Sequence, residues 1–124
     1  MTIIAVDDEP LALLDLKETL LEAAPDCRPF CFTSPKKAVE YAEKNRAEVA
    51  LLDIEMGPWD GFRLALELKA LQPDMRIVFV TSHEKYAIDA FRIHATGYLL
   101  KPVASEAIKR ELTFIYGENL QDRG

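Results

Sequence analysis

Residues 48–61, EVALLDIEMGPWDG, decide the fold. The run from Val49 to Leu52 is uninterruptedly apolar, too short for a helix, and ends on Asp53 before a Gly57-Pro58 turn. A strand apolar on both faces belongs in the middle of a parallel sheet covered on both sides, where alternation of polar and apolar residues is lost. A carboxylate at the end of such a strand needs cations or hydrogen-bond donors, because an unpaired charge is expensive to desolvate. Asp53 is therefore the point from which the remaining chain is read.

Outward from it, short apolar runs alternate with longer amphipathic ones. TIIAV (2–6), CRPFCF (27–32), EVALLD (48–53), RIVFVTS (76–82) and TGYLLK (96–101) read as strands. Pro29 puts the second at an edge or bulge, since proline lacks a ladder donor. Residues 10–24, 35–45, 61–72, 84–93 and 105–116 carry helical spacing; Pro10 suits a first turn, Ser34-Pro35 a cap and first turn, and Leu64, Leu68 and Leu71 one apolar face. Five strands alternating with five helices predict right-handed crossovers and an α/β, doubly wound, five-stranded parallel sheet of flavodoxin-like topology. With 124 residues, 49% of them hydrophobic, residues 1–124 are expected to form a single domain around one sizeable core.

Composition narrows the function. A formal charge of −6 argues against a phosphate-backbone binder, so any contact with nucleic acid would fall to another part of the protein. Cys27 and Cys31 lie in an apolar run without further cysteines to complete a metal cage, and are expected to be reduced, buried thiols. The N-terminus lacks the basic and apolar regions of a leader, and no apolar run approaches the roughly 20 residues that span a bilayer. A cytoplasmic protein without membrane contact is expected.

In doubly wound sheets functional groups gather outside the carboxyl ends of the strands. Those ends carry Asp7, Asp8 and Glu9, then Asp53, then Thr81 and Ser82, then Lys101 and Pro102; the second strand, ending Phe32-Thr33, is the exception. Convergence of Asp7, Asp8 and Asp53 would raise a pKa or recruit a cation, and oxygen-only ligands favour a hard divalent ion such as Mg²⁺. Lys101 and the Thr81 hydroxyl beside them suit an incoming phosphoryl group. Taken singly each has a plainer reading: Asp8 and Glu9 as helix-dipole partners, Thr81 as a strand residue, Lys101 as a surface lysine. Their joint order at the right ends favours the functional reading.

With VDDEP, LLDIEM followed by DG, VFVTS and YLLKP in place, the chain resembles the receiver domain of two-component response regulators over nearly its whole length. The resemblance implies that Asp53 accepts a phosphoryl group from a sensor histidine kinase. It implies that Asp8 ligates Mg²⁺ directly, Asp7 through water and Glu55 through its backbone carbonyl, and that Thr81 and Lys101 bind the phosphoryl group. Thr81 and Tyr98 would be the switch pair, the aromatic ring swinging inward behind the hydroxyl. The segment YAIDAFRIHATGYLLKPV is similar to receivers attached to LytTR-type DNA-binding domains, with Gly97 where those usually carry Asp; no output domain follows within the chain. The implied function is a phosphorylation-dependent switch, self-catalysing phosphotransfer and dephosphorylation but not an enzyme otherwise, serving a transcriptional regulator or standing alone.

The output face implied is the fourth helix, fifth strand and fifth helix, where Tyr86, Ile88, Phe91, Ile108, Phe114 and Ile115 exceed what a core side requires and suit a phosphorylation-dependent homodimer. Receivers usually carry proline four residues after the acceptor; Gly57 stands there instead, so the turn carrying Glu55 is expected to differ. Trp59 reads either as a kinase contact or as a lid on the third helix. His83 occupies a position that in receivers influences dephosphorylation together with residue 55, against the plainer reading of a solvated imidazole, which also holds for His94. Among rivals, haloacid-dehalogenase-like phosphatases need an aspartate two residues past the acceptor, where Glu55 stands, and a flavin binder would need glycines and hydroxyls where DDEP stands.

Overall fold

A computed structural model describes the backbone of residues 1–123 and the side chains of residues 1–117. The elements run β1 (Thr2–Val6), α1 (Pro10–Ala23), β2 (Arg28–Phe32), α2 (Pro35–Lys44), β3 (Val49–Leu52), α3 (Gly61–Leu71), β4 (Arg76–Thr81), α4 (Ala87–Arg92), β5 (Gly97–Leu100) and α5 (Ser105–Arg123). All neighbouring strands pair in parallel, in the order β2-β1-β3-β4-β5. The strands and helices fall where the periodicity puts them, with ends moved by a few residues. The largest differences are at α4, which is shorter than residues 84–93, and at α5, which runs past residue 116.

The two faces of the sheet explain the unbroken apolar strands. Ile4, Val6, Ala50, Leu52, Ile77 and Phe79 point to one side and pack with α2, α3 and α4 through Ala38, Ala42, Leu64, Ala65, Leu68 and Ala90. Ile3, Ala5, Val49, Leu51, Val78 and Val80 point to the other and meet α1 and α5 through Leu13, Leu16, Leu20, Ile108, Leu112 and Ile115. Every position of β3 is buried, and successive residues serve opposite helical layers. Leu71, expected on the buried face of α3 with Leu64 and Leu68, is instead 42% exposed, at the last residue of the helix.

Local signals do what their chemistry suggests. Pro29 is accommodated because β2 is an edge strand. Ser34 caps α2, its hydroxyl accepting the Lys37 N–H at 3.3 Å, and Asp60 caps α3, its carboxylate accepting the Arg63 N–H at 2.8 Å. Cys27 and Cys31 are free, half-buried thiols whose pKa values burial pushes up. Among the described residues no helix is long and apolar enough to cross a membrane.

Candidate functional site

The chain leaves β1 for β2 on one side and enters β3 on the other, so a crevice opens above the carboxyl ends of β1 and β3. Asp7 extends β1, its N–H donating to the Phe32 carbonyl, and Asp53 extends β3, its N–H donating to the Val6 carbonyl at 3.0 Å. Lys101 follows β5 and is held by a 2.8 Å bond from its N–H to the Thr81 carbonyl. Backbone pairing therefore brings these side chains together before any side-chain contact is made.

Asp7 is buried to 1% exposure; Oδ1 accepts the Glu9 N–H at 3.0 Å and Oδ2 accepts from Lys101 Nζ at 2.7 Å. Lys101 also reaches Asp53 Oδ2 at 3.2 Å, while Asp53 Oδ1 accepts the Ile54 N–H at 2.7 Å. Asp8 is exposed, and among the described residues nothing bonds its carboxylate. One carboxylate oxygen from each of Asp7, Asp8 and Asp53 lies within 4.8 Å of the others.

Burial raises the Asp53 pKa above its ordinary value, and the nearby Asp7 charge adds to the effect; the Ile54 N–H and Lys101 offset part of it. Burial acts on Lys101 in the opposite direction, but its bond to Asp7 and the Asp53 charge outweigh it and hold the ammonium pKa above its ordinary value. Three ionised carboxylates against one ammonium leave two uncompensated negative charges in an all-oxygen donor set. That set fits a hard divalent cation, and the Glu55 carbonyl, which accepts no hydrogen bond from a described group, is available as a further oxygen.

Thr81 ends β4 buried at 1% exposure, its Oγ1 accepting the His83 N–H at 3.3 Å, which leaves the hydroxyl proton free to donate. The Tyr98 hydroxyl donates to the His83 carbonyl with its ring half-buried.

The loop after β3 is more tightly built than its unusual turn suggested. Ile54 and Met56 are buried, Gly57 takes φ +67°, and open space surrounds it, so glycine is there for backbone conformation. Gly61 is there for space: a Cβ would stand 2.1 Å from the Asp53 carbonyl oxygen, and its own N–H donates to the Ile54 carbonyl at 2.7 Å. Trp59 packs partly buried on the α3 side of the core with the Arg63 guanidinium 3.9 Å over its ring, the lid arrangement.

Several contacts escaped the sequence. The exposed Glu55 carboxylate accepts from the Tyr86 hydroxyl at 2.7 Å and stands 3.2 Å from His83 Nε2, so His83 is not simply solvated. Tyr86, expected on the output face, instead reaches the loop after β3. Ile108 and Ile115 are core, whereas Ile88, Phe91 and Phe114 are exposed. At Gly97 a Cβ would meet Glu111 Oε2 at 2.7 Å: a carboxylate from α5 takes up that space, and burial pushes its pKa up. No spacing rule links positions 55 and 86 or 97 and 111, because each pair is joined only by the fold.

The sequence profile of the response regulator receiver domain family matches residues 3–113. Among curated proteins the chain is 32% identical over 117 residues to the positive alginate biosynthesis regulatory protein of Pseudomonas aeruginosa, covering 90% of this chain and 46% of that one. It is 33% identical over 119 residues to the sensory transduction protein LytT of Bacillus anthracis, covering 90% and 46%. The chain thus spans about half the length of these relatives. Among solved structures, the response regulatory domain of mrkE from Klebsiella pneumoniae superposes with a TM-score of 0.85 at 26% identity, covering 98% of this chain and 99% of that one. Response regulator TrrA of Thermotoga maritima, in complex with Mg²⁺-BeF, superposes with a TM-score of 0.82 at 25% identity, covering 92% and 97%.

Proposed function

We propose that this chain, which belongs to the response regulator receiver domain family, is a phosphorylation-controlled switch that accepts a phosphoryl group on Asp53 from a sensor histidine kinase. The observation that carries the reading is the meeting of Asp7, Asp8 and Asp53 within 4.8 Å, with Lys101 bonded to both Asp7 and Asp53. A structural ion pair needs one acid; three acids and a lysine at the crevice suit a divalent cation and a transferred anion.

An Asp53 carboxylate oxygen attacks the phosphorus in line as the P–N bond of the donor phosphohistidine breaks, and the imidazole leaves with the bonding pair. Lys101 and the Thr81 hydroxyl hold the negative charge that spreads over the phosphoryl oxygens. Asp8, Asp53 and the Glu55 carbonyl would hold a Mg²⁺ ion directly and Asp7 through water, and the ion would supply positive charge against the acids and the transferred group. TrrA, a relative solved with Mg²⁺-BeF, supports this assignment.

The bond Tyr98 makes to the His83 carbonyl joins β5 to the residue that already bonds Thr81, so a pull on the Thr81 hydroxyl reaches the face formed by α4, β5 and α5. Ile88, Phe91, Leu100 and Phe114 lie exposed there and suit a homodimer formed on phosphorylation. Residues 1–124 act as one receiver unit. We read it as the receiver part of a cytoplasmic transcriptional regulator of LytTR type, because the curated relatives are regulatory proteins about twice its length; with a charge of −6, DNA contact falls to the other half. A stand-alone relay acting through protein contacts is the other form of the same switch.

Incubation with a phosphorylated histidine kinase or a small acyl phosphate tests the assignment. The wild-type chain takes up one phosphoryl group and Asp53→Asn none. Undiminished uptake by Asp53→Asn overturns it.

A further inference from the structure

The helix α4 has little to hold it. It is six residues long, too short to be stable alone; Ala90 is its one fully buried side chain, while Ile88 and Phe91 are 68% and 81% exposed. Its place must therefore be set at its ends. Tyr86, immediately before its first residue, lays its ring edge-on to Phe62 at 6.0 Å, and Phe62 in turn meets the buried Phe79. Its hydroxyl donates to Glu55 Oε1 at 2.7 Å. His83 Nε2 stands 3.2 Å from the same oxygen and Lys85 Nζ 4.0 Å from it.

Glu55 is no ordinary surface acid. It lies two residues past Asp53 in a loop whose neighbours Ile54 and Met56 are both buried, so its carboxylate is the outward point of an otherwise anchored segment. A displacement of that loop must move this carboxylate. The bond is mutual: it holds the Glu55 pKa below and the Tyr86 pKa above the ordinary values.

We propose that Tyr86 is a positioning residue through which the acceptor loop sets the place of α4, its hydroxyl bound to the Glu55 carboxylate acting as a tether between them. This rests on the reading of Asp53 as phosphoacceptor and adds a second route to the output face. The Thr81–His83–Tyr98 route runs through β4 and β5; the tether runs from loop to helix directly and ends beside exposed Ile88 and Phe91.

Amide hydrogen exchange across residues 84–92 tests the tether, with and without saturating beryllofluoride and Mg²⁺, in the wild-type chain, Tyr86→Phe, Glu55→Gln, and the two combined. Tyr86→Phe keeps the ring and its packing, and so should still load beryllofluoride at Asp53. Its change in α4 exchange on loading is expected to fall about fivefold, the equilibrium equivalent of one lost charge-assisted bond at an exposed site. Adding Glu55→Gln to Tyr86→Phe should cost less than Glu55→Gln costs alone, since the shared bond is already gone and only the His83 and Lys85 contacts remain to be lost. A loaded Tyr86→Phe chain whose α4 responds like wild type, or a double variant with additive loss, overturns the tether. Failure of the wild-type chain to load at all would count against the phosphoacceptor reading instead.

Discussion

The carboxyl ends of β1, β3 and β4 and the face formed by α4, β5 and α5 are built by opposite rules. At the first, Val6, Leu52 and Thr81 are buried and backbone pairing fixes Asp7 and Asp53 to within one arrangement. At the second, no residue of β5 is fully buried, and α4 and α5 turn large apolar side chains outward. A phosphoryl-transfer site needs groups held in place before the substrate arrives. A surface that reports the transfer needs two arrangements of similar free energy, which dense packing would forbid. Disturbing the first region should therefore cost folding stability, and disturbing the second should cost only response.

Gly61→Ala should show the largest effect. A methyl group 2.1 Å from the Asp53 carbonyl oxygen forces the start of α3 off the acceptor loop, and urea unfolding is expected to report a loss of about 3 kcal/mol. Lys101→Ala comes next. It leaves buried Asp7 beside Asp53 without a cation, and because Lys101 itself is 26% exposed the loss should be about 2 kcal/mol rather than the full cost of a buried pair. A loss as small as that of a surface lysine would mean the crevice is wetter than its burial indicates.

Asp53→Asn should act in the other direction. Folding raises the pKa of Asp53, so its contribution is fully favourable below the ordinary value of 3.8 and is lost as pH rises through the raised one. Without divalent ion the Asn variant should thus be the more stable at neutral pH, by about 1 kcal/mol, with the gap closing as pH falls through the raised value and gone below 3.8. Thermal melts at several pH values check the sign. Phe91→Ser should show the smallest effect on folding, within about 0.5 kcal/mol of wild type, yet weaken self-association of the beryllofluoride-loaded chain in sedimentation. If Phe91→Ser destabilises as much as Lys101→Ala, the contrast between the two regions fails.

How much of this the sequence carried follows the same division. The strands β1, β3 and β4 are unbroken apolar runs because both of their faces are covered, and their terminal Asp7, Asp53 and Thr81 stand out for that reason. The crevice was legible from strand ends alone. What was hidden depends on distance through space. Gly61 was visible as part of a motif, but its need for room beside Asp53 arises only when α3 folds back on the loop. The Glu55–Tyr86 bond joins residues 31 apart, and the space at Gly97 is taken up by Glu111 from another element. Tyr86 and Ile88 look alike in an apolar count, yet one reaches the acceptor loop and the other faces solvent.

The central claim is that Asp53 accepts the phosphoryl group in a cation-dependent reaction. Peptide mapping by mass spectrometry, after incubation with a small acyl phosphate and reductive trapping of the acyl phosphate, tests it most directly. The expected result is a single modified site at Asp53 in the presence of Mg²⁺, absent when the ion is chelated. Modification at another residue, or uptake at Asp53 undiminished by chelation, would contradict it.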